Sequence, residues 1–281
     1  MMGRVILTAA FLAAAWPAAA QDEQQYLMPD QSAAKAKGII QQGIDALGGN
    51  AYLNMQDSTC TGRLGIFDHS GELTGFDTFI DFQQPPFRER QENLPKRNII
   101  QIYNGDKGWY LDRGGVSDAP KSDIEENKAN VQKDLFNILK NRIHEPDMIF
   151  RYGGPDIIDG WQADWVELVD SENRTIRIAF QRSTQLPIRE TVEIRDVETR
   201  LKFSDTFYFS NYHAIDGIQT PFQLTHEKNN MKVFQAFFTK CEYNTHLSDS
   251  LFTKESLDQR WAQIPERDKY KDKKDKDREK D

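Results

Sequence analysis

The side chains able to ligate a metal, move a proton or attack an electrophile are scattered along this 281-residue chain. Its five histidines are His69, His144, His213, His226 and His246. None forms a His-Glu-x-x-His pair, which would set two imidazoles on one helix face. His69 shares a turn with Glu72, His144 precedes Glu145-Pro146-Asp147, and His226-Glu227 closes a strand, so each reads as an ordinary surface or strand residue. No Gly-x-Ser-x-Gly elbow is present to expose a serine nucleophile. Gly48-Gly49 and Gly153-Gly154 lack the Lys-Ser/Thr that follows a phosphate-cradling loop. The chain carries 44 acids, and no two are singled out as a glycosidase pair. The expectation is no catalytic residue, no metal site and no cofactor. Cys60 and Cys241 have no zinc-type spacing. In an oxidising compartment they pair if their strands are neighbours, and otherwise remain two buried thiols.

Aromatic content is the more informative signal. Phe76 and Phe82, Phe203, Phe207 and Phe209, Phe222, and Phe234, Phe237 and Phe238 all fall on expected strands. Most such residues fill a core. Where a long sheet is covered by only a few helices, they can also wall an apolar pocket.

The elements that would position them follow from periodicity. The chain opens Met1-Met2-Gly3-Arg4, runs apolar from Val5 to Trp16, and reaches Ala18-Ala19-Ala20. This predicts a signal peptide over 1–20, cleaved after Ala20, and hence a periplasmic or secreted protein. Residues 21–31 are expected to be flexible. Apolar spacing with Ser32 as N-cap predicts a helix from Ser32 to Leu47, stopped by Gly48-Gly49.

The period then changes to two. Cys60, Gly62, Leu64 and Ile66 alternate with polar residues, Asp68-His69-Ser70-Gly71 turns, and Phe76, Ile80 and Phe82 alternate with Asp77 and Asp81. This is a hairpin stopped by Pro85-Pro86, and Leu64, Ile66, Phe76, Ile80 and Phe82 are its candidate ligand-facing residues. A second hairpin spans 98–112. An amphipathic helix is expected over 123–142. Strands resume at 164–170, 175–180, 190–195, 203–210, 219–228 and 232–243, joined by turns that favour an antiparallel sheet. Residues 266–281 hold eight basic and seven acidic residues and almost nothing apolar, the composition of a disordered tail. The domain is therefore expected over 32–265.

Lys and Arg number 36 against 44 acids, and cleavage after Ala20 removes one Arg, leaving a net charge of −9. Such a balance disfavours nucleic acid and anionic lipid surfaces as electrostatic partners. A mean hydropathy of −0.71 and the absence of a long apolar run argue against a transmembrane helix.

The ordered set of Ala46-Leu47-Gly48-Gly49, Thr61-Gly62, Tyr103-Asn104-Gly105-Asp106-Lys107-Gly108-Trp109, Val166-Glu167-Leu168, Arg182 to Arg189 and Tyr212 to Pro221 resembles the bacterial outer-membrane lipoprotein-sorting (LolA/LolB-like) family. The resemblance covers most of residues 35–255. It implies a mainly β (α+β) fold, an unclosed, strongly curved antiparallel barrel lidded by helices. It also implies a non-catalytic carrier or sensor of lipid or lipoprotein acyl chains in an apolar cavity. The alternative is an envelope scaffold with a filled core that binds another protein.

Overall fold

The structure, a computed structural model, describes residues 27–195, 199–266 and 269. The expected signal peptide, residues 21–26 and, apart from Glu266 and Lys269, the charged tail lie outside the described residues.

Helix α1 spans Pro29–Leu47, starting before the expected N-cap. Residues 29–31, expected to be flexible, are thus helical. Pro29 stands where a helix leaves backbone N–H groups unpaired anyway, and the Gln31 side chain accepts from the Met28 N–H. Ser32 instead accepts the backbone N–H of Tyr152. The helix stops at Gly48, with φ 130°, where an added Cβ would lie 2.4 Å from the Gly217 carbonyl oxygen. The short helix α2 (Asn50–Leu53) follows.

Thirteen strands then form one antiparallel sheet: β1 (Ser58–Phe67), β2 (Leu73–Gln84), β3 (Arg88–Asn93), β4 (Ile100–Asn104), β5 (Lys107–Asp112), β6 (Gly115–Asp118), β7 (Ile149–Ile158), β8 (Trp161–Val169), β9 (Thr175–Gln181), β10 (Pro187–Arg195), β11 (Lys202–Ile215), β12 (Ile218–Lys228) and β13 (Met231–Tyr243). Their order is β6-β5-β4-β3-β2-β1-β13-β12-β11-β10-β9-β8-β7, so β6 and β7 are edges and the barrel is unclosed. The two limbs meet where β1 pairs with β13, and Cys60 lies opposite Cys241 in a disulfide.

Between β6 and β7 the expected single helix is two. Helix α3 (Lys121–Lys133) ends at Asp134, whose extended backbone breaks the run. Its carboxylate caps α4 (Leu135–Lys140) by accepting the Asn137 N–H at 2.8 Å. Helix α5 (Lys254–Gln263) closes the described chain.

Alternation divides the sheet into two faces. On the inner face Val166, Leu168, Ile176, Ile178 and Val192 pack under α1 and α4, with Ile40, Ile44, Leu47, Ile138 and Leu139. On the outer face of the other limb Ile100, Ile102 and Leu111 pack under α5 with Phe252, Leu257 and Ile264. Strand β3, Arg-Glu-Arg-Gln-Glu-Asn, buries two charged residues, Arg90 and Glu92. Arg90 and Glu92 pair at 2.6 Å, and Arg90 also donates to the Leu251 carbonyl and Ser256 Oγ.

Two changes test this packing. The disulfide closes a loop of 181 residues, so Cys60→Ser with Cys241→Ser is expected to cost about 3 kcal/mol in urea unfolding. Gly43 faces Phe180 so closely that a Cβ would lie 2.2 Å from its ring. Gly43→Ala should therefore destabilise by about 1–3 kcal/mol in the same assay.

Candidate functional site: the inner face beneath helix α3

The five candidate residues of the first hairpin do not share a face. Gly65 pairs with Phe76, Thr61 with Ile80 and Thr59 with Phe82, whereas Leu64 pairs with Asp77. Leu64 and Ile66 therefore point inward, and Phe76, Ile80 and Phe82 point outward. Phe82 packs against the outer core. Phe76 is 55% exposed beneath the Arg63 guanidinium, 4.9 Å from its ring centroid. Alternation fixes which residues of one strand share a face, but the pairing register fixes how two strands relate, and a one-residue shift exchanges the faces.

The register brings a different set onto the inner face with Leu64 and Ile66. Ile66 pairs with Phe234, Leu64 with Ala236 and Gly62 with both Phe238 and Phe79. Phe234 pairs with His226, His226 with Phe207, and Phe207 with Glu190. His226 stacks on Phe207 at 4.3 Å between ring centroids and meets Phe234 at 5.2 Å. The Phe79 and Phe238 rings meet edge-on at 5.8 Å. These rings make an aromatic strip from β11 across the β13–β1 junction to β2, outside the core beneath α1, in which Phe79 and His226 are buried and Phe207, Phe234 and Phe238 only partly so.

Helix α3 crosses over this part of the sheet with none of its residues fully buried, Ile124 and Val131 being half-buried. Polar contacts hold it at both sides. On the β3–β5 limb Asp123 accepts from Tyr110 Oη at 2.8 Å, Asn127 donates to Glu89 at 3.1 Å, and Lys128 pairs with Asp106. On the β11–β12 limb Lys133 pairs with Asp205 and Glu126 with Lys228. Asn127 and Lys133 are six residues apart, about 9 Å along a helix. The strands they reach, β3 and β11, are five strand spacings apart, about 24 Å along the sheet. The reach of two side chains closes that difference only if the sheet curls beneath α3.

The walls of this curl carry acids. Asp81 and Glu89 lie on one limb, Glu190 and Asp205 on the other, and Asp134 at the α3–α4 junction. Asp205 is buried, which alone would raise its pKa, but hydrogen bonds from His226 at 3.0 Å and from Lys133 lower it to about 2. Glu190 is 1% exposed, and burial pushes its carboxyl well above the usual range, with the charge of Asp134 adding to the rise. Burial likewise raises Asp81, helped by the charge of Glu89. The surrounding protein also raises Glu89, which is half-buried, and Asp134, which is exposed at the α3–α4 junction, in each case against hydrogen bonds that favour the anion. Glu190 Oε1 and Asp81 Oδ1 are buried without a hydrogen-bond partner.

His226 was not visible as part of a site because a strand-end His-Glu pair carries no recognisable spacing. Among the described residues no group of three or more His, Cys, Asp or Glu side chains is placed to hold a metal ion. A separate groove of about 690 Å³ opens on the outer face, where Tyr208 and Thr225 pair, and does not include the strip.

The acids predict opposite pH responses. The lowered Asp205 stabilises the fold above its unfolded pKa near 4, and that contribution is lost as pH falls toward about 2. Asp205→Asn should thus cost about 1–2 kcal/mol at neutral pH and nothing below pH 2, allowing for solvent screening. The raised Glu190 contributes fully below its unfolded pKa, near 4.5, and its contribution is lost as pH climbs. Glu190→Gln should flatten the decline in melting temperature as pH climbs above 4.5.

No family model and no curated protein matches the chain. Solved structures do. A DUF1329 family protein from Desulfovibrio piger is 14% identical over 79% of this chain and 98% of its own, with a TM-score of 0.55. An outer membrane lipoprotein-sorting protein domain from Vibrio parahaemolyticus is 12% identical over 80% of this chain and 99% of its own, with a TM-score of 0.52. A LolA superfamily protein from Nitrosomonas europaea is 14% identical over 79% and 99%, with a TM-score of 0.48. At such identities the likeness is one of architecture. The curled, unclosed sheet with helices on its inner face is the LolA-like fold.

Proposed function

We propose that the chain is an envelope carrier or sensor that holds the apolar part of a lipid or lipoprotein on the inner-face strip beneath α3. The observation that carries this reading is the mismatch between α3 and what it covers. A helix that merely completed a core would bury apolar side chains, as α1 does with Ile40, Ile44 and Leu47. Helix α3 fully buries none, with Ile124 and Val131 only half-buried, and is attached by ion pairs and hydrogen bonds, of which the exposed Lys128–Asp106 and Glu126–Lys228 pairs exchange readily with water. Under it Phe207, Phe234, Phe238, Leu64 and Leu224 are only partly buried. An acyl chain laid there gains about 0.8 kcal/mol per methylene removed from water.

The way in follows from the topology. The β1–β2 and β12–β13 turns and the start of β11 lie at one end of the sheet. Ile66, Leu73, Leu201, Phe203 and Met231 are exposed there. An exposed apolar rim beside a partly covered aromatic strip suits entry of an apolar chain. The fold shared with a lipoprotein-sorting domain supports the same reading, as does the expected signal peptide, which would deliver the chain to the periplasm. The role is one of binding rather than catalysis. No described helix is long and apolar enough to cross a membrane.

The two faces of the sheet give an internal control. Phe234→Glu, on the inner strip, should weaken binding of a fluorescent fatty-acid probe by about tenfold or more, since it buries a charge against an acyl chain. Phe76→Glu, on the outer face, should leave binding within about twofold. Equal effects, or no binding by the native chain, would overturn the assignment.

A further inference from the structure

The interior acids are not explained by an acyl-chain strip. Hydrocarbon needs a dry, uncharged wall, and buried carboxylates without cationic partners are costly. Asp205 has its partners in Lys133 and His226. Arg142, the other buried cation nearby, is committed to Asp170 and Glu145. Asp81, Glu89, Asp134 and Glu190 form no ion pair among the described residues. They lie in sequence around the curl: Asp81 feels the charge of Glu89, Glu89 that of Asp134, and Glu190 that of Asp134. Two of them, Asp81 and Glu190, also have a buried oxygen without a hydrogen-bond partner. Glu190 pairs across the strands with Phe207, so its carboxylate borders the aromatic strip.

We propose that this acidic pocket beneath the α3–α4 junction binds the cationic amine head group of an amphiphile, held by Glu190 and Asp134 with Asp81 and Glu89 on the opposite wall, while the attached chain lies along Phe207, Phe234 and Leu64. The proposal rests on the carrier reading and adds the polar chemistry of the cargo. An ammonium supplies the donors and the positive charge that the unpartnered oxygens lack. The rings of Phe207 and Phe234 offer faces that attract a cation. A metal ion suits the arrangement poorly, because no group of three or more ligating side chains is gathered among the described residues. Since the raised carboxyls favour their protonated forms, an entering ammonium displaces protons from those not yet ionised, and affinity should rise with pH until the amine itself deprotonates.

Titration calorimetry of the full mature chain with dodecylamine, dodecanol and dodecanoate below their aggregation concentrations tests this. Dodecylamine should bind about tenfold or more tighter than dodecanol, with dodecanoate weakest and with a heat that varies with buffer ionisation as protons are released. Glu190→Gln, and independently Asp81→Asn, should bring dodecylamine to parity with dodecanol while leaving dodecanol binding unchanged. The second variant covers the case in which the first fails to fold. If the native chain binds dodecanol or dodecanoate as tightly as dodecylamine, the amine site is wrong and the carrier reading stands. If none of the three binds, the carrier reading fails and the amine site with it.

Discussion

The pairing of β1 with β13 is the constraint on which the rest of the structure depends. It joins residues 58–67 to residues 231–243, and the Cys60–Cys241 bridge fixes it covalently. Without it the sheet is two limbs, β6 to β1 and β13 to β7, each with one face still to cover. With it the inner faces of the two limbs become one continuous surface, and the aromatic strip runs across the junction through Phe234, Ile66, Ala236 and Leu64. The contact is also costly to form, because it closes most of the chain into a loop before it returns any stabilisation.

Once the limbs are joined, charge and hydrophobicity separate on the inner face. The β7–β10 end is filled by α1 and α4, whose side chains reach full burial. The middle of the sheet is crossed by α3, which is tied by ion pairs to both limbs. A tightly packed helix leaves no alternative arrangement of comparable energy, whereas in α3 the Lys128–Asp106 and Glu126–Lys228 pairs are exposed and contribute little, and the shielded Lys133–Asp205 pair anchors its C-terminal end. The same molecule therefore has a part covered by apolar packing and a part covered mainly through polar contacts, and the partly buried rings of Phe207, Phe234 and Phe238 belong to the second.

Much of this was legible in the sequence, and the gaps have physical causes. Two-residue alternation located most of the strands, glycines marked the end of α1, and the ordered motifs pointed to the fold. Strand β3 was not expected because Arg88 to Asn93 contains no apolar residue. Its two buried residues, Arg90 and Glu92, are held there by their mutual pairing, an interaction visible only once both are in place. Strand β7 was hidden by Gly153-Gly154-Pro155, which suits an edge strand with a bulge. Helix 123–142 looked continuous because Asp134 is an ordinary helix-surface residue in sequence and becomes a cap only in the fold. The hairpin misled most about the site. Leu64 and Ile66 face inward as read, but the register turned Phe76, Ile80 and Phe82 outward. Buried acids such as Glu190 were invisible among the 44 acids of the chain.

The central claim is that the strip beneath α3 holds an apolar cargo. Native mass spectrometry with organic extraction, on the mature chain purified from a bacterial periplasm with its disulfide intact, tests it most directly. The account predicts a bound amphiphile at near-stoichiometric amount, released when the fold is unfolded. A bare mass that stays unshifted on incubation with fatty-acid and lipopeptide probes would contradict it.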